Sequence, residues 1–304
     1  MSVPVRLNRS QLSVPASSMR FIEKAAASDA DVVFLDLEDS IAAGDKAEAR
    51  ANAARAPSSF DWGAKTLSIR VNAWDTPWTV RDIIAALEGE GDRLDLIMLP
   101  KVHCPADVHA LEALIGQVER EQGRTKPVGL ELIIESAQGV ANVDAIAAAS
   151  PRIEALHYGP GDYAASTGAR TTAIGEQDPA YPGDLWHYPM SRILVAARAN
   201  GLRALDGPWS RHADLDGLET AARRTAAMGF DGKWAIHPGQ IETINAVFTP
   251  PQDEIAHARR ILAALDEAAA QGRGAATLEG RMIDVASIRQ AQGLLAKADR
   301  ITAA

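Results

Sequence analysis

Cysteine is almost absent. Cys104 stands alone in 304 residues, which excludes an internal disulfide framework and any cysteine-rich zinc module. Long hydrophobic runs are missing too: no apolar stretch approaches the ~18 residues of a membrane-spanning helix. Met1–Ser13 lacks the charged-then-apolar pattern of a secretory signal, so a cytoplasmic protein without a membrane partner is expected. Positive charge is in short supply, with 31 Lys and Arg against 40 Asp and Glu and a net charge of -9. Nucleic-acid binding relies on phosphate neutralisation by excess cations, so no nucleic-acid partner is expected. One local basic pocket for a small anion is still compatible with that field. The GxGxxG fingerprint, the Walker A loop, HExxH and the GxSxG elbow are all lacking. Cys104 follows His103, but an adjacent pair of this kind is weak ground for nucleophilic catalysis. Metal-centred chemistry is favoured over covalent chemistry.

At 47% hydrophobic the chain is too apolar for disorder and long enough to bury a large core. Apolar, β-branched runs alternate with alanine-rich amphipathic runs. Strands are predicted at Gln11–Val14, Val32–Leu37, Leu67–Val71, Leu94–Leu99, Val128–Ile134, Ala155–Tyr158, Leu202–Leu205 and Lys233–Ile236. Several lack polar alternation, as parallel strands buried on both faces do. Helix starts are read at Thr76-Pro77, a cap followed by proline, and at Asp45 with Glu48, a capping box. Eight such units predict an α/β chain forming a (β/α)8 TIM barrel, with a doubly wound open sheet as the alternative.

Polar residues just past these strands set a rhythm. Glu38, Arg70, Lys101, Glu135, Asp162, Asp206 and His237 are separated by 32, 31, 34, 27, 44 and 31 residues. One βα unit takes roughly 30 residues, and a barrel gathers all strand C-termini on one rim. The 44-residue gap holds Thr171–Tyr188, read as an insertion on the active face that could serve as a lid. Thr249-Pro250-Pro251 marks a break, since consecutive prolines disfavour regular structure. Residues 1–248 are therefore read as the catalytic barrel and 249–304 as a helical extension docking on a neighbouring subunit. That extension is predicted to hold helices at Ile255–Ala270 and Val285–Ala298, joined by a glycine-rich, mobile Gln271–Gly280.

In Asp36-Leu37-Glu38-Asp39, strand alternation puts Asp36 and Glu38 on one side, with Asp39 opening the loop. Carboxylates on an inner rim are costly unless paired or bound to a cation. Glu38 can equally form a salt bridge and Asp39 a helix cap. Glu135 and Asp162, from consecutive strands, can meet at one metal. Hard oxygen ligands without nearby cysteine favour Mg²⁺ or Mn²⁺ over zinc. Alternatively, both acids pair with Arg70 or Lys101. Arg70 can hold a carboxylate in bidentate fashion or meet a developing enolate, besides balancing the acids. Lys101, after Leu99-Pro100, could join Arg20 and Lys24 in phosphate contacts. A lone His237 is more often a packing residue than a catalyst, and Asp284 makes a good N-cap for the last helix.

Five segments occur in order: Leu35-Asp36-Leu37-Glu38-Asp39-Ser40, Ser68-Ile69-Arg70-Val71-Asn72, Ile97-Met98-Leu99-Pro100-Lys101-Val102, Ile133-Ile134-Glu135-Ser136 and Gly159-Pro160-Gly161-Asp162-Tyr163. Together they resemble the citrate-lyase β-subunit-like (HpcH/HpaI) aldolase superfamily. Gly91-Asp92-Arg93-Leu94-Asp95, Gly232-Lys233-Trp234-Ala235-Ile236-His237-Pro238 and Asp284-Val285-Ala286-Ser287-Ile288-Arg289-Gln290-Ala291 resemble its malyl-CoA/β-methylmalyl-CoA lyase branch.

The resemblance implies a TIM barrel carrying Mg²⁺ on Glu135 and Asp162, assembled as homotrimers or homohexamers. It implies that Arg70 contacts the reacting oxygen and that Glu38 and Asp39 support the metal's water shell. Asp284 becomes a catalytic acid/base reaching a neighbour's barrel. Arg20, Lys24, Pro100, Lys101, Gly161 and His237, with Arg70, are the expected contacts to acyl-CoA and a small oxo-acid. Related chains often carry glycine and arginine where this one has Ala16 and Ser18, and Ile174–His187 is shorter than in the lyases. Reversible cleavage of a 3-hydroxyacyl-CoA is expected. A malyl-CoA thioesterase, a citramalyl-CoA lyase and a non-catalytic CoA-binding subunit are the alternatives.

Overall fold

Hydrophobic runs without polar alternation become strands covered on both faces, and this chain has eight of them. A computed structural model describes residues 6–89, 92–171, 173–272 and 274–303. Gly91 of the GDRLD segment, Thr172 of the insertion and Arg273 of the glycine-rich connector lie outside the described residues. The first half runs β1 (Ser10–Pro15), α1 (Met19–Ala26), β2 (Val32–Asp36), α2 (Lys46–Ser59), β3 (Thr66–Arg70), α3 (Thr79–Glu88), β4 (Leu96–Leu99) and α4 (Pro105–Gln122). It continues with β5 (Gly129–Ile134), short helices α5 (Ala137–Ala141) and α6 (Val143–Ala147), β6 (Ile153–Tyr158), α7 (Pro160–Thr167), α8 (His187–Ala199), β7 (Arg203–Asp206), α9 (Leu215–Met228), β8 (Gly232–Ala235) and α10 (Ile241–Phe248). Every neighbouring pair of strands is parallel, and β1 pairs with both β2 and β8. The sheet is therefore a closed (β/α)8 barrel.

Register decides what meets inside it. Asp36 of β2 lies beside Arg70 of β3, and Arg70 beside Met98 of β4. Phe34, Met98, Ile133 and Trp234 form a buried apolar layer. Two residues further along their strands come Asp36 and Glu135, at the end where a barrel carries its chemistry.

The chain divides into two compact units, Met1–Asn245 and Ala246–Ala304. The second contains α11 (Gln252–Ala270), an antiparallel hairpin of β9 (Ala276–Leu278) and β10 (Arg281–Ile283), and α12 (Val285–Ala303). No helix among the described residues is long and apolar enough to cross a membrane.

Four local expectations need correction. The α3 helix starts at Thr79, not at Thr76-Pro77, because Thr76 Oγ1 donates to the Ala73 carbonyl and shapes a preceding turn. Asp45 makes no capping bond. Its backbone is already right-handed (φ -100°, ψ -3°), whereas a side-chain cap needs extended geometry. The insertion ends earlier than Tyr188, since His187 and Tyr188 begin α8. The glycine-rich Gln271–Gly280 contains a strand rather than only a connector. Glu279 and Gly280 turn at φ 51° and 77°, the doubly left-handed geometry that matches hairpin twist.

Candidate active site

Arg70 is the hub of the barrel mouth. Its Nε and Nη2 donate to the two carboxylate oxygens of Asp36, each at 2.7 Å, a fork-on-fork pair enforced by the strand register. Its Nη1 lies 3.0 Å from Glu38 Oε2 but off the axis of a hydrogen bond. A guanidinium has five N–H groups, so Arg70 keeps donors free on both terminal nitrogens. Burial alone would push the Asp36 carboxyl up, but Arg70 outweighs it and holds Asp36 below its ordinary range. The Arg70 guanidinium is correspondingly raised against its own burial by Asp36, Glu38 and Glu135.

Glu38 sits two residues past β2 and is buried. Lys101 Nζ donates to its Oε1 at 2.6 Å and reaches exposed Asp39 at 3.4 Å. Burial still leaves the Glu38 carboxyl above its usual range despite Arg70 and Lys101. The ammonium of Lys101 is raised, because bonding to Glu38 outweighs its partial burial. The loop carrying Glu38 is fastened from behind by buried Lys46, whose ammonium donates to the carbonyls of Leu37 and Glu38 and to Asn72 Oδ1. Sequence reading missed Lys46, since a helix-start lysine carries no motif.

Glu135, one residue past β5, is buried and accepts the backbone N–H of Lys101 on Oε1 at 2.8 Å. Among the described residues its Oε2 accepts no hydrogen bond. Gly159 allows this close approach, because a Cβ there would lie 2.4 Å from Glu135 Oε2. Burial, then the charges of Glu38 and Asp162, push the Glu135 carboxyl up to about 8. Asp162 stands in the first turn of α7, half-buried. The described residues contain no group of three His, Cys, Asp or Glu arranged as a metal cage. A magnesium ion does not need one: it takes one or two protein carboxylates and completes its shell with water and substrate oxygens. The free Oε2 of Glu135, and a carboxyl raised by neighbouring negative charge, fit a divalent cation.

The remaining candidates scatter around this centre. Pro100 is buried between β4 and Lys101, and Gly161 lies next to Asp162 and close to Ile174. Lys24 and His237 line one cavity of about 390 Å³ between the ends of β1 and β8 and one side of α1, together with Val14, Phe21 and Ile236. Arg20 is exposed on α1 and is not part of that lining. His237 Nδ1 accepts the Gly239 N–H at 3.1 Å, and its ring stacks on His212 with centroids 5.1 Å apart. Asp206, seventh in the sequence rhythm, turns away to a buried pair with Lys233 at 2.6 Å. Ala16 is buried and passes its carbonyl to Asn52, while Ser18 precedes α1 without a capping bond.

Asp284, in the second unit, caps α12 by accepting the N–H groups of Ala286 (2.9 Å) and Ser287 (3.3 Å). It is exposed between exposed Met282 and Val285.

A profile of the HpcH/HpaI aldolase/citrate lyase family matches residues 9–238. An L-malyl-CoA/β-methylmalyl-CoA lyase of Cereibacter sphaeroides is 49% identical, the match covering 99% of this chain and 97% of the relative. A (3S)-malyl-CoA thioesterase of the same species is 36% identical over 97% of this chain and 96% of its own. Among solved structures, the CitE protein of Mycobacterium tuberculosis in complex with magnesium, acetoacetate and coenzyme A is similar, with 31% identity, a TM-score of 0.77 and coverage of 96% of this chain and 98% of that one.

Proposed function

This chain belongs to the HpcH/HpaI aldolase/citrate lyase family, and on that premise we propose that it is a carbon–carbon lyase acting on 3-hydroxyacyl-CoA esters. It reversibly cleaves L-malyl-CoA to glyoxylate and acetyl-CoA, or β-methylmalyl-CoA to glyoxylate and propionyl-CoA. The observation that carries this reading is the Glu135 carboxyl, buried with a free Oε2 and raised to about 8 among Glu38 and Asp162. Glu135 and Asp162 are the residues that would hold Mg²⁺, with Mn²⁺ as a substitute. When bound, the ion supplies Lewis acidity to the oxo-acid carbonyl and anchors its carboxylate.

The protein's own groups account for the rest. Cleavage breaks the bond between the hydroxyl-bearing carbon and the carbon next to the thioester, a CH₂ in malyl-CoA and a CH(CH₃) in β-methylmalyl-CoA. The hydroxyl gives its proton to a water at the site as its carbon becomes the aldehyde of glyoxylate, and the bonding pair passes to the thioester as an enolate. Arg70, fixed by Asp36 with N–H groups to spare, meets oxygen on which negative charge develops. Glu38 and Asp39 orient water at the site, with Lys101 holding both carboxylates in place. Lys24 and His237 hold the CoA portion in the groove between β1, α1 and β8, with Arg20, Pro100 and Gly161 bordering the bound ester. Asp284 returns a proton to the enolate carbon in cleavage and removes it in condensation. We assign it to the barrel of a neighbouring copy in a trimer or hexamer, an arrangement supported by its exposed position between two exposed apolar residues. A cytoplasmic location goes with this substrate class.

The similarity to a thioesterase keeps hydrolysis as the second reading. Mass spectrometry of products from malyl-, β-methylmalyl- and citramalyl-CoA, with and without EDTA, separates them. Glyoxylate with acetyl-CoA, abolished by EDTA, is the expected result. Free CoA with malate would make it a thioesterase, and pyruvate from citramalyl-CoA would widen the substrate class. No turnover of any ester would leave a non-catalytic CoA-binding subunit.

A further inference from the structure

Beneath Arg70 the apolar layer of Phe34, Met98, Ile133 and Trp234 is joined by polar side chains, where branched aliphatic residues usually complete such interiors. These are Gln11, Ser68, Glu131 and His157, all fully buried. Glu131 Oε2 accepts from Gln11 Nε2 at 3.0 Å and from Ser68 Oγ at 2.9 Å, and its Oε1 lies 3.4 Å from His157 Nε2. The other ring nitrogen of His157, Nδ1, accepts the indole N–H of Trp234 at 2.8 Å. An indole nitrogen only donates, so Nδ1 carries no proton and the ring's proton sits on Nε2, towards Glu131. Trp234 thus has its indole N–H edge held by His157, and the Phe34 ring lies against it with its centroid 4.7 Å away at a tilt of 53°. On this pair rests Arg70, its Cζ 5.6 Å from the centroids of both the Phe34 and Trp234 rings. That is within the range of a cation–π contact, which strengthens when desolvated.

A buried carboxylate and imidazole are expensive to place in a barrel core. Filling the space would need neither, whereas fixing the orientation of one ring needs a directional bond. We propose that Trp234 is a positioning residue for Arg70, held at its working angle by His157 and Glu131. Asp36 fixes the edge of the guanidinium and the Trp234–Phe34 floor fixes its plane, so its free N–H groups aim at the reacting oxygen. This inference rests on Arg70 serving the lyase reaction.

The test is a double-mutant cycle on the full-length protein, with Trp234→Phe and His157→Leu each made alone and with Arg70→Lys. Trp234→Phe keeps a ring but loses the N–H, so it should lower kcat about tenfold with KM for malyl-CoA within about twofold, the pattern of a contact made in the transition state. His157→Leu should do the same, and His157→Asn, which offers an acceptor near the Nδ1 position, should recover part of the loss. In the Arg70→Lys background each loss should shrink to less than about twofold, because coupled residues are non-additive. Wild-type kcat in Trp234→Phe, or the same loss in both backgrounds, would overturn the proposal. A wild-type protein that cleaves no ester would refute the lyase reading instead. Crystal structures of Trp234→Phe and His157→Leu then decide the positioning role separately: the Arg70 guanidinium should tilt off the Asp36 plane, and an unmoved guanidinium would overturn it. Should His157→Leu fail to fold, Trp234→Phe carries both arms.

Discussion

Lys101 donates its backbone N–H to Glu135 while its own backbone is left-handed, at φ 52°. A side chain with a Cβ pays for that conformation, and in it the Lys101 amide faces Glu135 while its ammonium faces Glu38. Replacing Lys101 by glycine relieves the backbone and replacing it by alanine does not, although both lose the ammonium. Lys101→Gly should therefore be more stable than Lys101→Ala by about 1 kcal/mol, the reverse of the usual order. Urea denaturation of the two variants reads this, and an alanine variant at least as stable would refute it.

Glu135→Gln keeps an acceptor for the Lys101 amide and replaces a carboxyl whose charged form is opposed by burial and by Glu38 and Asp162. Metal-free stability should be equal to or above wild type, while turnover falls on the order of a thousandfold, the scale of losing an electrostatic stabiliser. Adding Mg²⁺ should raise the melting temperature of the wild type and not that of Glu135→Gln. Scanning calorimetry with and without the ion checks both halves; equal shifts in the two proteins would be contrary.

Arg70→Lys keeps the charge but loses the bidentate grip on Asp36. Its kcat should drop by roughly a hundredfold or more, as when one charge-stabilising donor is removed. Steady-state kinetics with malyl-CoA would count against the assigned role if kcat stayed near wild type and KM alone rose.

Asp284→Asn separates a cap from a catalyst, because asparagine caps helices as well as aspartate does. Stability and binding of the CoA ester should be preserved while turnover is abolished. Undiminished turnover would remove Asp284 from the mechanism.

Asp95, at the opposite end of the barrel, is buried and held below the ordinary carboxylate range. Burial opposes this, but the Leu67 N–H, Lys126 and Arg6 prevail. A carboxyl with a depressed folded pKa contributes stability above its unfolded value, near 3.9, and loses it as pH falls through the folded value. The melting-temperature gap between wild type and Asp95→Asn should be full at pH 7 and close progressively below about pH 4. A gap that widened on acidification would contradict this assignment.

The barrel was legible in the sequence because its strands are uninterrupted apolar runs, and all eight lie within two residues of their predicted limits. The acidic end of β2 was legible through alternation: Asp36 and Glu38 do share a side and both meet Arg70. Asp206 shows the limit of spacing, since its place in the rhythm matches Glu135 but its side chain turns to Lys233. Local turn chemistry was less readable. Nothing in Thr76-Pro77 reveals that the threonine hydroxyl prefers the Ala73 carbonyl, and Glu279-Gly280 is not among the pairs that ordinarily mark a hairpin. Lys46 stayed hidden because two of its three hydrogen-bond partners are backbone carbonyls, which carry no sequence signal, and the His157–Trp234 pair because its members are 77 residues apart along the chain.

A crystal soaked with Mg²⁺ and glyoxylate tests the assignment of Glu135 and Asp162 most directly. The expected density is one ion with a carboxylate oxygen from each residue at about 2.0–2.1 Å and glyoxylate chelating beside Arg70. An ion ligated elsewhere, or none with both carboxylates free, would contradict it.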